Sequence, residues 1–378
     1  MNFDSNEDNS ISLIPIDSVR FVKELYPRIR ENDEAIERYR ASLELLPAII
    51  IARDGILVDG FHRLQAHKRE NVTEIKAINL GNLSDAEIFR ESITRNAKHG
   101  QQLSVKDKQN LAGKLWLTFG DFPIDERVKE IASLLAVSDK SVRNYTKDAR
   151  AEEKKAMQEK AWDLWLNCES QRDIAETLGV THPTIGDWVE DYGKLSKFYQ
   201  QPESLQHFDV WSFHTANNNA GTASYFGKIP PQVVENLLWL YTEPGQIVFD
   251  PFAGGGTTID VAKSMGRRVW SSDRKPSTPT LPIHEHDITE GWPEDAPKCP
   301  DFILLDPPYW MQAAGRYSND PEDLGNMSLD GFDTAWRNII DTCYKHQKEN
   351  HYLAFIVSPA EDKENDRVVD LGLMMYQA

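Results

Sequence analysis

The densest chemistry in the chain sits at the end of one apolar run. Phe302-Ile303-Leu304-Leu305 reads as a buried strand and opens into Asp306-Pro307-Pro308-Tyr309. The acid supplies a hydrogen-bond acceptor. The two prolines fix their own φ and restrict the residue before each, so a carbonyl is held still. Tyr309 adds a ring face on which a planar group can stack. Upstream, Ile247-Val248-Phe249 opens into Asp250-Pro251-Phe252-Ala253-Gly254-Gly255-Gly256-Thr257-Thr258. A glycine-rich turn from strand to helix can cradle a nucleotide-like cofactor, because bare Cα atoms let the backbone approach closely. Asp-Pro-Pro alone is common in turns. The two segments in this order point to chemistry on a bound cofactor.

Together they resemble motifs I and IV of the S-adenosylmethionine-dependent DNA methyltransferases that act on exocyclic amino groups. The resemblance implies a Rossmann-like methyltransferase domain over residues 201–378, S-adenosylmethionine as cofactor and double-stranded DNA as substrate. An exocyclic amine is a poor nucleophile, because its lone pair is delocalised into the ring. An acceptor on its N–H, the Asp306 carboxylate or the Pro307 carbonyl, returns density to nitrogen, and in-line positioning does much of the rest. Asp306, Pro307, Pro308 and Tyr309 are then the catalytic set, with Tyr309 stacking an extruded base.

The resemblance also distributes the cofactor contacts. Asp250, Phe252, Ala253, Gly254, Gly256 and Thr257 surround its methionine portion. Val269-Trp270-Ser271-Ser272-Asp273 reads as the next strand, whose terminal acid accepts from both ribose hydroxyls. Asp287 stands where a third strand meets the adenine. Phe226-Gly227-Lys228-Ile229-Pro230-Pro231, with a helical stretch from Gln232 to Tyr241, resembles motif X and adds Lys228 and Pro230. Asp-Pro-Pro-Tyr fits adenine N6 and cytosine N4, and the family leans to adenine. One departure stands out. Beyond the apparent fifth strand, His351 to Val357, little chain remains for the family's closing antiparallel strands. We therefore expect a methyltransferase domain incomplete at its C-terminal edge, without a long target-recognition insertion.

The preceding chain resembles a ParB-like N-terminal domain over residues 12–104, of α+β type. Ala48 to Ala52 reads as a strand, Asp54-Gly55 as a tight turn and Ile56-Leu57-Val58 as its return. Gly60, Arg63 and Ala66 match the family's glycine–arginine box, which meets nucleotide phosphates with a glycine turn, a helix N-terminus and an arginine. Arg95, Asn96 and His99 match its second stretch. The implied nucleotide is CTP. Phe61-His62 replaces part of the box, so a bare DNA-positioning scaffold is the alternative.

Between these ends lies a repeat. Ile131 to Tyr145 aligns without gaps to Ile174 to Trp188. Each copy reads as a helix-turn-helix, one in a helical region over 105–150 and one over 151–200. Ala132 or Ala175 lets two helices approach, Ala136 or Gly179 marks the turn, and Ser138 or Thr181 caps the next helix. Val142 or Ile185 is its buried anchor. Such a second helix enters the major groove. Its DNA-facing candidates are Lys140, Ser141, Arg143 and Asn144 in the first copy, and His182 and Thr184 in the second. The alternative is a pair of helical hairpins acting as a spacer. Ala151 to Lys160 reads as a helical connector, and Pro202 to His207 as a linker.

Composition sets bounds. The 378 residues suggest two or three domains, and no apolar run approaches a membrane span. The fold class expected is multidomain, α+β and α/β. Residues 1–11 read as a disordered tail. Three scattered cysteines fit no zinc spacing, so no metal is expected, and they suit a reducing cytoplasm in a prokaryote, phage or plasmid host. The net charge of −18 argues against tight non-specific DNA binding but not against a basic cleft. A homodimer stays open, as does the modification half of a restriction–modification pair. The rival function is a non-enzymatic ParB-like regulator that keeps a degenerate methyltransferase remnant.

Overall fold

A computed structural model describes residues 10–27, 32–98, 103–120, 122–208, 210–213, 219–222, 224–276, 279–312, 314–362 and 365–377, with only the backbone at 97 and 98. The expected tail up to residue 9, and His99, lie outside them. The chain divides into two units of mixed helix and sheet, Met1–Lys155 and Ala156–Ala378.

The first unit starts with β1 (Ser12–Pro15), α1 (Asp33–Arg40), β2 (Ile49–Ile51), β3 (Leu57–Asp59), α2 (Phe61–Arg69), β4 (Glu74–Asn79) and α3 (Asp85–Lys98). The sheet order is β1-β4-β2-β3, with β2 parallel to β4 and the other pairs antiparallel. Asp54 and Gly55 both take positive φ, 54° and 70°, as the tight return between β2 and β3 demands. Apolar side chains of β2, β3 and α2 close one core around Ile49, Leu57 and Leu64.

Four more helices follow: α4 (Val105–Thr118), α5 (Ile124–Leu135), α6 (Asp139–Tyr145) and α7 (Lys147–Leu166), which crosses into the second unit. Helix α4 starts on a reciprocal capping box between Ser104 and Asp107. Val128, Ile131, Leu135 and Val142 pack with Leu111 and Trp116 in a separate core. The chain reverses from α5 to α6 at Ala136, which has φ 49° and ψ 57°. Ser138 then caps α6, accepting from the Ser141 N–H at 3.2 Å.

The second unit repeats this pairing with α8 (Gln171–Leu178) and α9 (His182–Gly193), turning at Gly179 with φ 64°. Val142 in α6 and Ile185 in α9 are both fully buried, as the alignment requires. Then come α10 (Pro231–Tyr241), β5 (Ile247–Asp250), α11 (Thr257–Ser264), β6 (Arg268–Asp273), β7 (Ile283–Glu285), β8 (Phe302–Leu305), α12 (Leu329–His346) and β9 (Tyr352–Phe355). Five parallel strands form one sheet in the order β7-β6-β5-β8-β9.

Alternating side chains build a core on each face of this sheet. Val248, Val269, Phe302 and Leu304 pack against α10 and α11. Phe249, Trp270, Ile303 and Leu305 pack against α12. Coverage on both faces explains why β8 reads as an unbroken apolar run rather than an alternating one. After β9 the chain forms an antiparallel pair, β10 (Ala360–Asp362) and β11 (Arg367–Val369), then α13 (Leu371–Tyr376). That pair is its own two-stranded sheet and does not extend the parallel one.

The segment from α7 to Phe198 is fixed to the starting ends of β5 and β6. Lys263 reaches Asp163 at 2.8 Å. Arg268 donates to the Trp165 carbonyl at 3.1 Å and stacks its guanidinium 5.2 Å from that indole. Phe198 fills the space over Gly266, where a Cβ would lie 2.6 Å from its ring. The α8–α9 pair therefore belongs to the sheet's amino end, opposite the end where Asp250 and Asp273 emerge.

Ala136 is a non-glycine residue held in left-handed backbone, which strains its Cβ. Ala136→Gly should stabilise the protein by about 0.5–1 kcal/mol, measured by chemical denaturation followed through a signal from the first unit.

Candidate active site

Four acids mark four neighbouring strand ends. Asp250 ends β5, Asp273 ends β6, Asp306 follows β8, and Asp287 follows β7 by one residue, His286. With strands about 4.8 Å apart, they span roughly 15 Å along one edge of the sheet. A parallel sheet places its ligand crevice at these carboxyl ends. A cavity of about 690 Å³ lies there, and all four acids line it.

The turn after β5 is built around Asp250. Its side chain is 3% exposed and accepts from the Phe252 N–H at 2.9 Å and from the Thr258 hydroxyl. Burial lifts its pKa to about 6, and the nearby Asp273 charge adds to the lift. Asp273 accepts from the Gly254 N–H and the Lys275 N–H, both at 2.9 Å. It thereby fixes the turn after β5 to the loop after β6. Gly256, with φ 81°, starts α11. Thr222 N–H donates to the Gly255 carbonyl at 2.7 Å, which brings the strand of chain before Tyr225 against the same turn.

Asp306 is half-buried. It accepts from the Tyr309 hydroxyl at 3.1 Å. Burial, reinforced by Asp250, raises its pKa to about 7. No ion pair to a lysine or arginine holds it down among the described residues. Burial and the Asp306 charge push the Tyr309 hydroxyl well above its ordinary range.

Of the residues expected here, Lys228, Asp250, Phe252, Ala253, Gly254, Thr257, Asp273, Asp287, Asp306 and Pro308 line the cavity. Pro230, Gly256, Pro307 and Tyr309 stand behind it. Tyr309 packs against the core beneath α12 instead. The Lys228 ammonium is buried and has no hydrogen-bond partner among the described residues. Asp287 is committed on both oxygens: one accepts from the Thr289 N–H and hydroxyl, at 2.9 and 2.7 Å, and the other meets Arg274 at 3.0 Å.

Several lining residues carried no signal in the sequence. Tyr225 stands just ahead of the Phe226–Pro231 segment and covers the glycine turn. Arg274 reaches both Asp287 and Asp320, the latter at 2.5 Å. Tyr317 and Asp320 come from the irregular chain between β8 and α12, where no periodicity pointed to a site. Asn326 folds that chain, donating to the Ser318 and Asp320 carbonyls at 3.0 and 2.7 Å.

The other expected residues lie away from the cavity. Lys140, Arg143 and Asn144 are exposed on α6, and Arg143 pairs with Asp125 at 2.8 Å. The Ser141 hydroxyl is spent on Ser138 at 2.9 Å. His182 is exposed on α9, while the Thr184 hydroxyl meets Thr181 at 2.8 Å. In the first unit Gly60, with φ 104°, precedes α2. Arg63 bonds the Pro47 and Ala48 carbonyls at 3.0 and 2.6 Å and Asp59 at 2.7 Å. Arg95 pairs with Glu91 at 2.9 Å, and the buried Asn96 donates to the Ser92 carbonyl at 2.8 Å. Among the described residues no helix is long and apolar enough to cross a membrane.

Comparison with known proteins gives the chain a family. The sequence profile of the N6/N4 methyltransferases, described as a DNA methylase, matches residues 66–278, more than half of the chain. The chain is similar to the type II methyltransferase M.BamHI of Bacillus amyloliquefaciens, 29% identical over 89 residues, which is 23% of this chain and 21% of that protein. It is 35% identical over 98 residues to the type II methyltransferase M.BglII of Bacillus subtilis, 26% of each. The chain thus spans about a quarter of these two relatives. Among solved structures it is similar to the C-terminally truncated chromosome-partitioning protein ParB from Caulobacter crescentus complexed to the centromeric parS site. That match has 20% identity and a TM-score of 0.28, over 36% of this chain and 70% of that one. A Pnob8-like ParB-N domain matches at 15% identity and a TM-score of 0.30, over 51% and 85%.

The raised pKa of Asp306 makes a stability prediction. Its folded value, about 7, lies above the ordinary ~3.9 of an unfolded aspartate. The folded state then binds this proton more tightly, so the resulting stabilisation is complete in acid and is lost as pH rises through about 7. Asp306→Asn removes the ionisation and still accepts from Tyr309. It should raise the melting temperature of the ligand-free protein at pH 8 by a few degrees and much less at pH 5, read by scanning calorimetry.

Proposed function

Because the chain belongs to the N6/N4 DNA methylase family, we propose that it transfers a methyl group from S-adenosylmethionine to an exocyclic amine of DNA. Adenine N6 is favoured over cytosine N4, a lean that rests on Asp at the first position of Asp306-Pro307-Pro308-Tyr309. The observation that carries the reading is the shared cavity: Asp306 lines the same space as the glycine turn and Asp273. The sheet is then Rossmann-like, and residues 201–378 are the methyltransferase domain.

The cavity fits the cofactor in three ways. The unpartnered Lys228 ammonium suits a carboxylate such as that of the cofactor's methionine portion. Asp273 stands at the end of β6, where a ribose diol is bound in sheets of this order. The glycine turn, with the Tyr225 ring lying over Gly254 and Gly255, joins the two positions. When bound, the cofactor supplies an electrophilic methyl on a sulfonium.

The chain's own residues do the rest. Asp306 in its ionised form accepts from the amine, an interaction worth more as positive charge develops on nitrogen. Pro307 and Pro308 hold the backbone of that acceptor rigid. Tyr309 supplies a stacking face, for which its hydroxyl must leave Asp306. Asp250 and Asp287 act through geometry, the first by shaping the turn and the second by holding the loop after β7. A cation in the cavity favours ionised Asp306 and Asp250. Cofactor affinity should therefore rise with pH up to about 7 and then level off.

The exposed Lys140, Arg143 and Asn144 of α6 favour the α5–α6 pair as a helix-turn-helix DNA reader. The α8–α9 pair is anchored opposite the cavity and carries Asp187, Glu190 and Asp191, so it suits a brace. Residues 12–104 serve as a ParB-like positioning domain. CTP binding there would require Arg63 to leave three internal acceptors, so the bare scaffold is the better reading. Type II methyltransferase relatives make restriction–modification the natural setting.

Tritiated-methyl transfer to unmethylated DNA, with nucleoside analysis to identify the base, tests the reaction. Asp306→Ala should abolish transfer and leave cofactor binding close to intact. Asp273→Ala should weaken cofactor binding by about 1–3 kcal/mol in calorimetry. Folded wild-type protein that binds no cofactor at millimolar concentration would sink the proposal. For recognition, Lys140→Ala with Arg143→Ala should weaken DNA binding and flatten its salt dependence. An unchanged salt slope would return α5–α6 to a spacer role.

A further inference from the structure

Two tyrosines outside every expected motif form facing walls of the cavity. Tyr225 lies directly on the glycine turn. A Cβ at Gly254 would come 2.7 Å from its ring, and one at Gly255 would come 2.8 Å from its own Cβ. The bareness of those two residues is thus already used by a protein side chain. Tyr317, from the chain between β8 and α12, has its ring centre 6.3 Å from that of Tyr225, with the planes inclined by 32°. Behind Tyr317 stands Phe226, at 5.6 Å, and the Tyr317 hydroxyl presses on Gly227, whose Cβ position it would occupy. Packing on both sides leaves these rings little freedom.

Carboxylates stand around both rings, in a cavity that Lys228, Arg274, Lys275 and Arg316 also line. Asp273, Asp306 and Asp250 act on the Tyr225 hydroxyl, and Asp306, Asp273 and Asp323 act on that of Tyr317. Burial and these charges keep both phenols protonated, Tyr317 with its pKa lifted to about 12. Neutral rings keep an electron-rich face. Ring faces with carboxylates nearby hold a weakly hydrated cation more tightly than a neutral group of the same shape.

We propose that Tyr225 and Tyr317 form a two-walled aromatic cage for the sulfonium of the cofactor. The cage makes the site prefer the charged methyl donor over its neutral thioether product. It rests on the S-adenosylmethionine reading of this cavity and adds the part that distinguishes donor from product. A site without this preference would be held by its own product, because every other contact is common to both. The two rings are specificity-determining residues rather than catalytic ones, since they neither give nor take a proton.

The test is calorimetric titration of the full chain with S-adenosylmethionine, S-adenosylhomocysteine and sinefungin, which carries an ammonium in place of the sulfonium. The wild type should bind the two cations more tightly than the neutral thioether. Tyr225→Leu and Tyr317→Leu should each reduce that preference by roughly three- to thirty-fold, mostly through weaker cation binding. Tyr225→Phe and Tyr317→Phe keep the ring face and should keep the preference. Equal weakening of all three ligands in the Leu variants would make the rings ordinary packing and overturn the cage. So would a wild type that binds donor and product alike, while leaving the cofactor reading intact. Should a Leu variant fail to fold, the wild-type ratio and the Phe variants still decide. A folded wild type that binds none of the three removes both readings together.

Discussion

The second unit is organised by the cost of keeping carboxylates at the dry ends of a parallel sheet. Asp250 and Asp306 are drawn out of water with no lysine or arginine paired to them among the described residues; burial raises both, with Asp273 adding to the lift of Asp250 and Asp250 to that of Asp306. Hydrogen bonds only partly offset this: the Phe252 amide and Thr258 hydroxyl for Asp250, the Tyr309 hydroxyl for Asp306. The same cavity is lined by the Tyr225 and Tyr317 rings, the glycine turn and the buried Lys228 ammonium.

The sheet makes the convergence unavoidable. Parallel strands bring all their carboxyl ends to one edge, so one acid per strand end gives a row of acids. Helices on both faces bury the strands and exclude water from the bottom of the crevice. The same geometry assigns the opposite edge a different task. There Trp165, Phe198, Arg268 and Lys263 fix α7 and the α8–α9 pair to the amino ends of β5 and β6. Two sequence-similar helix pairs thus meet different fates. The first keeps an exposed basic face on α6. The second is anchored at the sheet's amino edge and carries Asp187, Glu190 and Asp191 on α9.

The first unit illustrates how a matching motif can be spent internally. Gly60 has the left-handed backbone expected of its box, yet Arg63 turns back onto the Pro47 and Ala48 carbonyls and Asp59. An arginine satisfied by three acceptors is costly to redirect toward a phosphate. Tyr26 also meets the amide of Phe61 at the start of α2, at 3.3 Å.

The sequence by itself determined the local features with short-range causes. Apolar runs leading into an acid marked β5 and β8, since burial on both faces demands continuous apolar residues, and Val269-Trp270 ahead of Asp273 marked β6. The gapless repeat located α5–α6 and α8–α9, because the turn, the cap position and the anchors Val142 and Ile185 recur at fixed offsets. Asp250, Asp273 and Asp306 were legible for a related reason: each stands at the carboxyl end of its strand or directly after it. Only the tertiary structure decided what those elements meet. Tyr225 and Tyr317 are far apart in sequence, in segments with no periodicity, and become neighbours only because the chain before α10 and the chain after β8 meet at one edge of the sheet. The side chains that occupy Arg63 and Asp287, the pairing of β10 with β11 rather than with β9, and the burial that shifts Asp250 and Asp306 are likewise long-range outcomes. A linear pattern records which groups a strand will deliver; the packing around them sets their charge, partners and use.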